Sequence, residues 1–167
     1  MTNRREMLVL GLLGGRALLA PGRVSAAGDC PSAGPAEKDG PALLDRYVAA
    51  VNAHDTSSFP QIFTESYVQH SGRSPSGLAA QIENFRRIFA SMPDVQMRVE
   101  DRILAGDKMV ARNTFSGTHT QPLQGVAPTG RHFTLKAIDI WRVENGKLAE
   151  HWDIVDAAGL LKQLRGQ

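Results

Sequence analysis

The stretch whose reading decides the fold is RHFTLKAIDIWRVENGKLAEHWDIV, residues 131–155. Two runs of alternating apolar and polar residues flank Glu144-Asn145-Gly146, and period-two alternation around a Gly-containing turn is the signature of an antiparallel hairpin. Its register has two readings. A two-residue Asn145-Gly146 turn puts Asp139 and Asp153 on opposite faces. A three-residue turn with Gly146 in the left-handed position pairs Val143 with Lys147, Asp139 with His151 and Ala137 with Asp153. The second is preferred because it gathers Asp139, His151 and Asp153 on one face, with diagonal neighbours about 7 to 8 Å apart. It leaves Ile138, Ile140, Leu148, Trp152 and Ile154 on the other face, as a set that calls for burial. Alternation alone favours a solvated polar face, the commoner fate of charges on an antiparallel sheet.

Working outward, the same rhythm runs back to Pro93. VQMRVEDRIL (95–104) and MVARNTFSGTHT (109–120) read as strands around a turn at AGDK, and the Pro/Gly-rich QPLQGVAPTG (121–130) reads as a loop. Upstream the period becomes 3.6. Pro41 suits a first helical position, followed by Leu43, Leu44, Tyr47, Val48 and Val51 on one stripe. TSSFPQIFT (56–64) offers a short helical turn, and ESYVQHSG (65–72) a brief extended piece ending in a turn. A third helix over 77–91 has Ser76 as its expected cap and Ile82, Phe85, Ile88 and Phe89 as its buried stripe, with Pro93 ending it. Three helical pieces followed by long antiparallel strands predict an α+β domain with helices on one face of a curved sheet.

The 167 residues divide into an N-terminal segment, 1–27, a Gly/Pro/Ala/Ser-rich linker, 28–40, and one domain, 41–167, long enough for its own core. Arg4 and Arg5 precede a short apolar stretch and small residues before Gly28, the pattern of a twin-arginine export signal. That reading places the protein outside the cytoplasm. The apolar run falls short of the roughly 20 residues that span a bilayer, so no membrane span is expected. A net charge of +2 gives no ground for nucleic-acid binding, and the single cysteine, Cys30, excludes an intramolecular disulfide and a Cys-rich metal site. No Gly-rich phosphate loop follows a strand and no Gly-x-Ser-x-Gly elbow is present, which disfavours nucleotide binding and serine hydrolysis.

Over residues 41–165 the chain resembles the SnoaL-like polyketide cyclase (ester cyclase) family of the NTF2-like superfamily. The resemblance is carried by YVQH (67–70), GTH (117–119), PTGR (128–131), IDIWRVENGK (138–147) and EHWD (150–153). It departs after YVQH, where the family often continues Asn-Pro and this chain has Ser71-Gly72. The resemblance implies a cone of strongly curved antiparallel sheet closed by three helices around a deep pocket. It also implies cofactor-free acid/base chemistry, a small hydrophobic molecule as the partner, and pairing into a homodimer through the outer face of the sheet.

Carried onto this sequence, the family pattern turns the polar hairpin face inward and makes Asp153 the general acid/base. Asp139 and His151 would orient it or polarise a carbonyl. A carboxylate in an apolar pocket holds its proton more tightly and is a better base near neutral pH. His70 and His119 would shape the pocket mouth, with Trp141, Phe115 and Phe85 as substrate-facing wall. His151, Asp153, Asp139 and His119 are also residue types that bind metals, but no His-x-x-x-His or Cys pair supports such a site, and none is expected. The activity so implied is an aldol-type cyclisation or isomerisation of a hydrophobic carbonyl compound. A non-catalytic exported binding protein, or an epoxide or ester hydrolase in which Asp139 and Asp153 activate water, uses the same pocket.

Overall fold

The computed structural model describes residues 32–167. The export-signal segment, Cys30 and the first part of the expected linker lie outside them. The elements run α1 (Pro35–Asn52), α2 (Phe59–Ile62), β1 (Phe63–Gln69), α3 (Leu78–Ser91), β2 (Gln96–Ala105), β3 (Lys108–Thr118), β4 (His132–Glu144), β5 (Lys147–Val155) and α4 (Ala157–Arg165). The α+β expectation is met, with two differences. The five-stranded sheet, ordered β1-β5-β4-β3-β2, is mixed, because β1 runs parallel to β5. A fourth helix, α4, follows the last strand: the Asp156 carboxylate accepts a hydrogen bond from the Gly159 N–H, and Gly166 closes the helix with φ 74°.

Helix α1 begins at Pro35, six residues before the proline taken as its start. Glu37 reaches back to the Gly34 N–H in the first turn, and the Ala36 N–H donates to Gly106 O at 3.0 Å, docking the helix on the β2–β3 turn. Ala36 and Gly40 are buried there, so tertiary contact carries a segment whose composition reads as linker. Pro41 sits inside the helix at the cost of one backbone hydrogen bond. Ser76 also differs from its expected role. Gly77 is the N-cap of α3, and the Ser76 hydroxyl instead accepts from the Gln69 N–H at 3.0 Å.

The hairpin takes neither expected register in full. Asn145 (φ 51°) and Gly146 (φ 71°) form a two-residue turn with both central residues left-handed, and Glu144 pairs with Lys147. Between Val143↔Leu148 and Arg142↔Glu150 the ladder then slips by one residue, so Ala149 is the extra residue of a bulge. The slip changes the phase of β5 and brings Asp139 opposite Asp153 and Trp141 opposite His151. The three polar residues thus share one face as expected, through a bulge rather than a longer turn. Leu148, before the bulge, falls with Val143 on the inner side and is buried.

That inner face carries the core. Tyr47 of α1 packs edge-on against Phe63, Phe85 and Trp141, while Phe59 packs against Phe63 and Phe85. Edge-to-face contacts of this kind add to the area the rings bury. The outer face is less well covered: Ile138 and Ile154, cross-strand partners, are 50% and 77% exposed.

Candidate active site

A cavity of about 330 Å³ lies between the inner face of the sheet and helices α1 and α3. Apolar walls come from Phe85, Ile88, Phe115 and Leu135, and the polar end from Gln69, Arg73, Asp139, His151 and Asp153. Asp139, His151 and Asp153 were expected there, and the paired strands deliver all three.

A chain of hydrogen bonds distinguishes the three. The Ser71 N–H donates to Gln69 Oε1 at 3.2 Å, which leaves the Gln69 Nε2 to donate to His151 Nδ1 at 2.9 Å. His151 therefore carries its proton on Nε2 and donates it to Asp139 Oδ1 at 2.8 Å. Asn113 Nδ2 donates to the other Asp139 oxygen at 2.6 Å. Both oxygens of Asp139 are thus occupied in a buried setting that holds the carboxylate in place. Asp153 differs. Its side chain is 5% exposed, one oxygen is paired with the Arg73 guanidinium, and Oδ1 is buried without a partner. The expected apolar surroundings of Asp153 therefore include a cation.

Tyr47 lines the same cavity, and burial, followed by the charge of Asp139, holds its phenol well above the ordinary pKa. Tyr67 is raised for the same two reasons. Both remain O–H groups across the physiological range.

Phe85 and Phe115 line the cavity as expected. Trp141 instead stands behind the polar group, stacked on His151 with centroids 5.1 Å apart. His70 points the other way. Strand alternation turns Gln69 inward and His70 outward, where its ring stacks on Trp152 at 4.4 Å and its Nε2 bonds Glu150 at 2.8 Å. His119 is buried beside the β3–β4 loop, with Nδ1 at 3.0 Å from the Thr129 hydroxyl, and anchors that loop rather than the cavity mouth. Sequence reasoning missed Gln69, Arg73, Asn113 and Tyr47. Asn113 had a signal: it is the one polar side chain in the inward file Met109, Ala111, Asn113, Phe115 of β3. Arg73, in a loop, had none.

Donor atoms of Asp139, His151 and Asp153 lie within 4.8 Å of one another, and these are the atoms a divalent cation would use. Such an ion would have to take His151 Nε2 from Asp139 and Asp153 from Arg73, beside a guanidinium that repels it.

The SnoaL-like polyketide cyclase family model matches residues 42–164. The nogalonic acid methyl ester cyclase of Streptomyces nogalater is 33% identical over 69 residues, 41% of this chain and 49% of that protein, so the match spans about half the length of that curated relative. TsrD of Streptomyces laurentii superposes with a TM-score of 0.72 at 31% identity, covering 78% of this chain and 97% of TsrD. IdmH of Streptomyces antibioticus, a candidate polyketide cyclase, gives 0.66 at 27% identity over 75% of this chain and 97% of its own. With the open curved sheet, the helices across its inner face and a family match over most of the chain, the protein belongs to the SnoaL-like polyketide cyclase family.

Proposed function

We propose that the protein is a cofactor-independent acid/base enzyme that admits a small hydrophobic carbonyl compound to its cavity and catalyses an aldol-type cyclisation or an isomerisation. Membership of a cyclase family supports the reaction class. The observation that carries the reading is the inequality of the two carboxylates. Asp139 has donors on both oxygens, whereas Asp153 Oδ1 is buried without one. A base needs an oxygen whose lone pair is not already taken by a donor, and of the two carboxylates Asp153 is the one that keeps such an oxygen.

Asp153 takes the proton α to the carbonyl, the C–H electron pair moves onto the carbonyl oxygen, and the protonated carboxyl later returns the proton. Asp139 and His151 hold the inner face in register and polarise its donors, and the Tyr47 O–H is available to the developing negative oxygen. The apolar walls take the rest of the molecule.

The test is Asp153→Asn, assayed by exchange of the α-protons of a small β-dicarbonyl in deuterated buffer. A folded variant with exchange reduced roughly 10²- to 10⁴-fold fits a positioned acid/base. Unchanged exchange removes Asp153 from the mechanism, and retention of the compound with no exchange by the unsubstituted protein favours the binding-protein reading. Two further readings accompany this one. The twin-arginine-like start supports export of the folded protein, testable by cell fractionation. The exposed isoleucines of the outer face support pairing of two copies through it.

A further inference from the structure

Among the described residues that line the cavity, Arg73 is the one arginine or lysine. It sits in the β1–α3 loop, and its side chain is half exposed while reaching the 5%-exposed carboxyl of Asp153 on β5, the strand that pairs with β1. The loop backbone is tethered on both sides of it: the Gln69 N–H donates to the Ser76 hydroxyl, and the Gly77 N–H to Tyr67 O at 2.6 Å. The long side chain is therefore the movable part. Its pairing has a chemical consequence. A guanidinium against a carboxylate favours the ionised form and weakens it as a base. The same guanidinium has five donors in a planar fork, suited to an oxygen on which negative charge is developing.

We propose that Arg73 is a two-position residue: it shields Asp153 in the empty cavity and turns to the enolate oxygen of a bound 1,3-dicarbonyl compound, leaving Asp153 uncovered as the base. The proposal rests on the acid/base reading above and adds the substrate class. A 1,3-dicarbonyl fits because it spreads the enolate charge over two oxygens, which a fork of N–H groups accepts as a pair. Once Arg73 turns, Asp153 is a buried carboxylate without its cation, a setting that disfavours the ionised form and strengthens the base. Proton removal then proceeds with atoms conserved: the C–H proton goes to Asp153, and its electron pair goes to the enolate oxygen that Arg73 now holds. Base strength thereby rises when, and only when, substrate fills the cavity.

The cavity that Asp153 lines also carries Arg73 from the loop, Asp139 from β4, His151 from its own strand and Tyr47 from α1, while α3 contributes the neutral Gln81 and Asn84. Of these, Arg73 is the one arginine or lysine, and its side chain is half exposed, so its removal takes away the cation without opening the core. The experiment follows the Asp153 carboxyl carbon by NMR against pH, with ¹³C-labelled aspartate and Asp153→Asn for assignment, in the unsubstituted protein, Arg73→Gln and Arg73→Lys. Each is measured free and with saturating benzoylacetone. In the free proteins the midpoint is expected to rise by roughly 1 to 3 pH units in Arg73→Gln, with Arg73→Lys between. Benzoylacetone should raise the midpoint of the unsubstituted protein to that of free Arg73→Gln and leave Arg73→Gln where it was. Equal midpoints in the free proteins, a midpoint unmoved by bound benzoylacetone, or no binding of it by any of the three overturns the proposal. The α-proton exchange assay is run in parallel. Exchange lost in Asp153→Asn with flat titration results sinks the Arg73 role alone, whereas exchange retained in Asp153→Asn sinks the acid/base reading itself.

Discussion

Asn113 shows how much a single side chain decides here. It replaces an apolar residue in the inward file of β3, and it supplies one of the two donors that hold Asp139. A buried acceptor stripped of a donor costs about 1 to 3 kcal/mol. Asn113→Leu, close in volume, is therefore expected to lower stability in urea denaturation by that amount. It should also reduce α-proton exchange, because Asp139 then rests on His151 alone. A variant as stable and as active as the original would show that the Asn113 contact is incidental. Charge on the outer face follows different logic: His70, then Arg142, holds the Glu150 carboxyl below its ordinary range at the protein surface, away from the cavity.

At the scale of elements, the β4–β5 hairpin is the device that builds the site. Its turn fixes one register, and the bulge at Ala149 then shifts β5 by one residue, so that His151 and Asp153 arrive on the inner face. Without the bulge the two-residue turn would send both outward. The turn requires φ 71° at Gly146, a conformation that costs an L-residue about 1 to 2 kcal/mol. Gly146→Ala should lose that much in chemical denaturation while leaving the kinetics of the folded protein intact; a larger loss of activity than of stability would mean that the turn also sets the register under working conditions. Helix α1 makes a related point. Its first turn is held by a hydrogen bond to Gly106 and by burial of Ala36 and Gly40, so the helix extends through residues of weak propensity.

For the molecule as a whole, polarity and cover are divided between the two sides of one sheet. The inner side has an aromatic core, four helices and the cavity, while the outer side presents Ile138 and Ile154 as neighbours across β4 and β5, with Ile103 also 64% exposed. Exposed apolar residues in one area mark an interaction surface. If two copies pair there, Ile154→Glu should convert a dimer to a monomer by light scattering at constant protein concentration, without loss of the cavity's activity. A variant that remains a dimer would place the contact elsewhere. Among the described residues no helix is long and apolar enough to cross a membrane.

The sequence by itself determined the order and type of most elements, because periods of 2 and 3.6, turn glycines and helix-ending prolines act over a few residues. It also carried Asp139, His151 and Asp153 on one hairpin, close enough to be gathered on one face. Only the tertiary structure decided which side of the sheet they face, that a bulge rather than a longer turn aligns them, that His70 and His119 leave the cavity, and that Gln69 and Arg73 enter it. The physical reason is distance along the chain. Gln69 reaches His151 across 82 residues, and no local pattern encodes which partner a side chain meets once five strands and their loops have closed around a common space.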